Sequence, residues 1–231
     1  MSVPTSDASG FYISDTFGNF LDEVTKLPIK MGSMTAPQGA YLMDFLRAHP
    51  EIKQVLETGF HVGIGTGFML DARSDISVTS FDIFWFDYTR KAKLLLDIAF
   101  PGRNLLIAGN SISSLPTFFA SFPYYKPDMV FIDGGHERPV PLLDLHYILS
   151  SITSGTWVMV DDYCEAHGQG GVNEAVDKFI ADGVLEQVQT YRADDRGWIM
   201  SRRSMKPVVP LPLATDDAEL DKLRRDVISH Y

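Results

Sequence analysis

Cysteine is nearly missing: Cys164 is the only one in 231 residues, so no disulfide can form within the chain. Dense basic tracts are missing too. Arg202-Arg203 and Arg224-Arg225 are isolated pairs in a chain of formal net charge −10, which argues against nucleic acid as a partner, because phosphate binding rests on clustered Lys and Arg. No run reaches the roughly eighteen apolar residues that span a bilayer, and Met1 to Asp15 lacks the basic flank and apolar core of a secretory signal. The expectation is a soluble cytoplasmic protein with no membrane partner. Internal repeats and low-complexity tracts are also absent. What remains is ordinary for a globular chain: a hydrophobic share of 45% argues against disorder, and the length allows one full core.

The stretch around which the chain is organised runs from Gln54 to Gly67. Val55 and Leu56 read as a buried strand, Gly59 and Gly63 as a turn, and a helix follows from about Ile64. Glycine permits positive φ and lets a ligand approach the backbone, while a helix start offers free N–H groups. A second strand, Ser77 to Phe81, ends on Asp82, placed to accept hydrogen bonds from ribose hydroxyls. Together these predict a nucleoside-containing cofactor. Dinucleotide sites want Gly-x-Gly-x-x-Gly, and the glycines at 59, 63, 65 and 67 contain no such triplet.

Helices are predicted over Ser14–Lys26 and Thr35–Ala48, separated by a loop, Met31 to Met34, whose methionines could flank a ligand or simply pack. The helix Thr89–Ala99 is expected to turn Leu94, Leu95 and Ile98 inward, below an aromatic turn, Ile83 to Tyr88. A third strand, Asn104–Ala108, leaves Gly109-Asn110-Ser111 at its tip, and a helix is expected from about Leu115 to Phe122. Met129–Ile132 is a continuous apolar run, as in a central parallel strand, and it delivers Asp133 and His136 to the edge that carries the glycine turn. A helix over Val140–Leu149 and a strand over Gly155–Tyr163, ending in Asp161 and Asp162, come next. His146 reads as packing or surface. A helical stripe (Val172 to Ile180) precedes two closing strands, Leu185–Thr190 and Trp198–Ser201. The Pro-rich Lys206–Pro212 leads to a charged helix, Asp216–Ser229, which could pack on the core or on a second copy in a homo-oligomer. The alternation of strands and helices predicts an α/β fold. The expected division is a helical arm or cap at 1–50, a cofactor-binding domain at 51–203 and the C-terminal segment at 204–231.

Asp133, Asp161 and Asp162 would repel one another in one crevice unless a cation neutralised them, and such hard oxygen ligands suit Mg²⁺. Beyond these local readings, Glu57-Thr58-Gly59 with Gly63 resembles motif I of the class I S-adenosylmethionine-dependent methyltransferases. Phe131-Ile132-Asp133-Gly134-Gly135-His136, followed by a strand ending Asp161-Asp162-Tyr163, resembles the macrocin-type O-methyltransferases of natural-product sugar tailoring, and more distantly the catechol O-methyltransferases. The similarity runs from about Val55 to Phe179; the loop Cys164–Gly171 departs from it.

The resemblance implies a doubly wound, Rossmann-like sheet of seven mostly parallel strands. It also implies S-adenosylmethionine held by Glu57, Gly59, Gly63, Asp82, Ile83, Asn110, Ser111 and Asp133. Asn110 stands where Asp is commoner in the family. Mg²⁺ would lie on Asp133, Asp161 and Asp162, and His136, with Asp133, would carry out catalysis as general base on a small-molecule hydroxyl. Two alternatives stay open: a metal-independent methyltransferase acting on nitrogen or carbon, and a non-catalytic nucleoside-binding protein of the same fold.

Overall fold

The computed structural model describes residues 12–30, 33–164, 171–193 and 196–211, with isolated positions beyond. The helix α1 (Asp15–Val24) starts at Ser14, whose hydroxyl accepts from the Phe17 N–H, while the Ser14 N–H donates to Asp71. The helix α2 (Ala36–Ala48) opens with a capping box in which Thr35 and Gln38 satisfy each other's backbone N–H groups, with Pro37 in the first turn. Each such cap contributes about 1 kcal/mol. Phe17, Val24, Leu42, Met43 and Leu46 are fully buried, so both helices are part of the core.

The chain then alternates: β1 (Gln54–Thr58), α3 (Ile64–Ala72), β2 (Ser77–Asp82), α4 (Tyr88–Ala99), β3 (Asn104–Ala108), α5 (Ser111–Ser121), β4 (Met129–Ile132), α6 (Val140–Ser151), β5 (Trp157–Asp161), α7 (Gly171–Ala181), β6 (Leu185–Ala193) and β7 (Arg196–Arg203). These strands form one seven-stranded sheet in the order β3-β2-β1-β4-β5-β7-β6. The first five are parallel, and β7 runs antiparallel to both β5 and β6. This is the doubly wound α/β architecture expected from the sequence.

Side-chain alternation along the strands splits the core in two. Val55, Met129, Phe131, Trp157 and Met159 face the layer of α1 to α4, while Leu56, Val130, Ile132, Val158 and Val160 face α5 to α7. The strand order reverses between β1 and β4, and an open parallel sheet splits at such a point to admit a ligand beyond its C-terminal ends. No helix among the described residues is long and apolar enough to cross a membrane.

Two expectations change. On α4 the buried stripe is Tyr88, Thr89, Ala92 and Leu96, while Leu94 and Ile98 are 64% and 78% exposed. Leu95 is half-buried against the core, as expected. Two apolar stripes competed for the inside; Tyr88, stacked on Phe86 with centroids 4.9 Å apart, and the small Ala92 fix the rotation. The helix α5 begins at Ser111 rather than Leu115, because Asn110 caps it by accepting from the Ile112 N–H; Pro116 lies inside the helix. His146 takes the packing place that the sequence reading allowed: it is buried, its Nε2 2.8 Å from the Val209 carbonyl oxygen. The expected C-terminal helix over Asp216–Ser229 falls almost entirely outside the described residues.

Candidate active site

A cleft of about 820 Å³ opens at the tips of β1, β2, β3 and β4. Gly59 has φ +90°, and a Cβ there would stand 1.8 Å from the Asp133 carbonyl oxygen. Only glycine lets the β1 and β4 tips come this close. Gly63 caps α3 in the left-handed region, where a Cβ would strike the Phe60 ring at 2.6 Å.

Asp82 lines the cleft, but both of its oxygens already hold backbone: Oδ2 accepts from the His61 N–H and Oδ1 from the Phe84 N–H, each at 2.7 Å. One carboxylate therefore staples the β1–α3 and β2–α4 loops together. His61 adopts φ +50° and lies in the cleft wall, with Nδ1 3.3 Å from the Ser33 hydroxyl and Nε2 2.9 Å from the Tyr88 hydroxyl. Burial lowers its pKa, partly opposed by the Asp82 charge, which favours the neutral ring. The non-glycine residues with positive φ among those described are His61, Phe84 and Asp162, all on loops at strand tips. Backbone strain of this kind gathers where function needs it.

On the far side of the cleft, β4 ends at Asp133 and His136, and β5 passes into Asp162. His136 Nε2 lies 2.9 Å from Asp162 Oδ2, with the His side chain 44% and the Asp side chain 16% exposed. Asp133, His136 and Asp162 can each bring one donor atom within 4.8 Å of the others. Asp161 is elsewhere. As the last residue of β5, Asp161 is buried and its Oδ1 accepts from Gln38 Nε2 at 2.8 Å, on the α2 side, while Asp162 lies beyond the strand with φ +57°. The three aspartates grouped by the sequence are thus not brought together; His136 takes the place of Asp161.

Residues 56–163 match a family model described as a methyltransferase domain. The chain carries a class I S-adenosylmethionine-dependent methyltransferase domain. Solved structures with the same fold include the O-methyltransferase from Bacillus cereus in complex with SAH, 15% identical with a TM-score of 0.71 over 83% of this chain and 91% of that one. The SAH-bound methyltransferase PaMTH1 from Podospora anserina is 18% identical, with a TM-score of 0.63 over 83% and 89%. CalS11, described as a TDP-rhamnose 3'-O-methyltransferase of calicheamicin biosynthesis, is 18% identical, with a TM-score of 0.58 over 84% and 98%. At these identities the likeness is one of fold. No curated protein matches the chain in sequence.

Within this methyltransferase domain the structure sorts the cofactor residues expected from the sequence. Gly59, Asp82, Ile83, Asn110, Ser111 and Asp133 line the cleft, and Ile83 is 52% exposed there. Glu57 and Gly63 stand behind it. Glu57 is 1% exposed and accepts from Thr66 at 2.6 Å and Ser80 at 2.5 Å; burial pushes its pKa up to about 7. It fastens α3 and β2 to the β1 tip. The sequence reading assigned no role to His61, Gln38 or Asp144. For His61 the signal was present: a bulky polar residue inside a turn otherwise built from small and apolar ones. Gln38 and Asp144 gave none, since each finds its partners across the fold.

Proposed function

We propose that the domain methylates a hydroxyl oxygen of a small molecule, with His136 as general base. The observation that carries this is the 2.9 Å pairing of His136 with Asp162 beside Asp133, at the end of the cleft away from Asp82. Gly59, Asp82, Ile83, Asn110 and Ser111 would seat the cofactor so that its methyl faces this pair. The acceptor oxygen attacks the methyl carbon, the new C–O bond forms as the C–S bond breaks, and S-adenosylhomocysteine leaves. The hydroxyl proton goes to the ring nitrogen of His136 that does not face Asp162, and the Asp162 carboxylate steadies the imidazolium that results. Holding the oxygen about 3 Å from the methyl supplies much of the acceleration, and the base adds about 10²–10⁴-fold. That several structures of the same fold are O-methyltransferases supports oxygen as the acceptor atom.

A second reading rests on the grouping of Asp133, His136 and Asp162 within 4.8 Å. The three fit a divalent cation, with two carboxylates and one imidazole as ligands. This donor set suits Mn²⁺ or another first-row ion at least as well as the Mg²⁺ expected from three carboxylates. When bound, the ion would lower the pKa of the acceptor hydroxyl. His136 would then be a ligand rather than the base. The test is a methyl-transfer screen over catechols, sugars and amino sugars, read by a mass gain of about 14 Da in the acceptor, the mass of the CH₂ a methyl transfer adds. It is run with chelator, Mg²⁺ or Mn²⁺, on wild type and His136→Ala. Base chemistry predicts activity that survives chelation, with the variant rescued by higher pH. Activity that appears only with added metal would overturn the base reading in favour of the metal.

A further inference from the structure

A buried acid in the middle of α6 takes no part in this chemistry. Asp144 is 1% exposed, and no basic side chain pairs with it among the described residues. It accepts a hydrogen bond from the Ser111 hydroxyl at the start of α5. Its Oδ2 stands 3.3 Å from where a Cβ on Gly134 would be, and the Thr58 hydroxyl lies at the same 3.3 Å from that point. Asp144 Oδ1 and Thr58 Oγ1 are both buried with no hydrogen-bond partner among the described residues. Ser111, Thr58 and Gly134 all line the cleft, and they come from three separate elements: α5, the end of β1 and the loop after β4. Asp144 itself does not line the cleft.

We propose that Asp144 is a positioning residue for cofactor binding: from beneath the cleft floor its carboxyl orients Ser111 and sets the spacing between the β1 and β4 tips. A buried polar group left partly unsatisfied is costly, so a purely structural role would be served as well by an apolar side chain. Burial also raises the Asp144 pKa to about 7, so beside Ser111 the group can be a neutral acid able to donate as well as accept.

This inference rests on the S-adenosylmethionine reading of the cleft, and calorimetry with S-adenosylhomocysteine on the purified full-length chain tests both. Wild type that fails to bind removes the cofactor reading itself. Given binding, Asp144→Ala should weaken it about tenfold, the loss of one oriented hydrogen bond with its neighbours relaxed, while Asp144→Asn should stay within about threefold. Ser111→Ala should cause a similar loss. The double variant should be no weaker than the worse single one, because both substitutions remove the same contact. If Asp144→Ala does not fold, Asp144→Val fills the space without a polar atom and should show the same tenfold loss. Wild-type affinity in a folded Asp144→Ala or Asp144→Val, or fully additive losses with Ser111→Ala, would overturn the proposal, even if the melting temperature fell.

Discussion

Asp161 and Asp162 are neighbours in sequence with unlike surroundings, and a pair of substitutions separates them. Asp161 belongs to the α2 side, fixed by Gln38; Asp162 pairs with His136, which lines the cleft. Asp162→Asn should therefore cut turnover by about 10²-fold or more, since the base loses its orientation and its counter-charge. Asp161→Asn, which keeps an acceptor oxygen for Gln38, should lower turnover by less than about fivefold and act mainly on stability, by about 1 kcal/mol. Equal losses of turnover in the two variants would count against this assignment. The expected grouping of all three aspartates is not what the structure shows: β5 ends at Asp161, which Gln38 holds on the α2 side, while Asp162 follows the strand at positive φ and pairs with His136. Asp82 shows the opposite limit. Its place at the end of β2 was legible, but not that its two oxygens hold the His61 and Phe84 N–H groups. Asp82→Ala should therefore do more than remove a ribose partner. We expect S-adenosylhomocysteine affinity to fall by about 1.5–3 kcal/mol, with protease cleavage appearing at residues 83–87 as the loop loosens. Unchanged affinity would remove Asp82 from the cofactor site.

At the scale of elements, glycines and the rotation of one helix decide what can be altered. Both glycines have positive φ, but a side chain at Gly59 would also have to move the Asp133 backbone, whereas one at Gly63 would meet the Phe60 ring. Gly59→Ala should lower the melting temperature sharply, and Gly63→Ala less so, because a ring can turn where a carbonyl cannot. On α4, Leu96→Ala should cost about 2–5 kcal/mol, as a buried leucine does, while Leu94→Lys and Ile98→Lys should each stay within about 0.5 kcal/mol, as surface changes do. Urea unfolding of the three variants checks the helix's rotation directly. The strands and helix starts were legible because local chemistry sets them: Ser14 and Thr35 cap, and Gly63 turns. The rotation of α4 was not, because Tyr88, Ala92 and Leu96 and the competing Leu94, Leu95 and Ile98 are equally apolar. Only the stacking of Tyr88 on Phe86 and the packing on α1 choose between them. The early start of α5 was hidden by Pro116, which reads as a first-turn proline but lies in the helix interior.

For the whole molecule, the two carboxyls buried on opposite faces of β1 set a trend of stability with pH. Glu57 and Asp144 are both raised to about 7, in each case chiefly by burial, with hydrogen bonds from Ser80 and Thr66, or from Ser111, opposing it. In the unfolded chain both titrate near 4. A folded pKa above the unfolded one means that the native state binds protons the unfolded state has released. The resulting stability is fully present below pH 4 and is lost as the pH rises through about 7. Paired carboxylates, Asp75 beside Arg73 among them, act in the opposite sense and are lost in acid. Wild type alone therefore mixes both trends, and a comparison with variants isolates the buried pair. The move from about 4 to about 7 corresponds to at most about 4 kcal/mol for each group. Asp144→Asn and Glu57→Gln, which keep shape without a charge, should match or fall slightly below wild type at pH 5 and exceed it at pH 8. The gain should grow steadily between pH 5 and pH 7 and then level off. Thermal melts of the three proteins at pH 5, 6, 7 and 8 decide it, and variants whose difference from wild type does not change with pH would show that neither carboxyl titrates in this range.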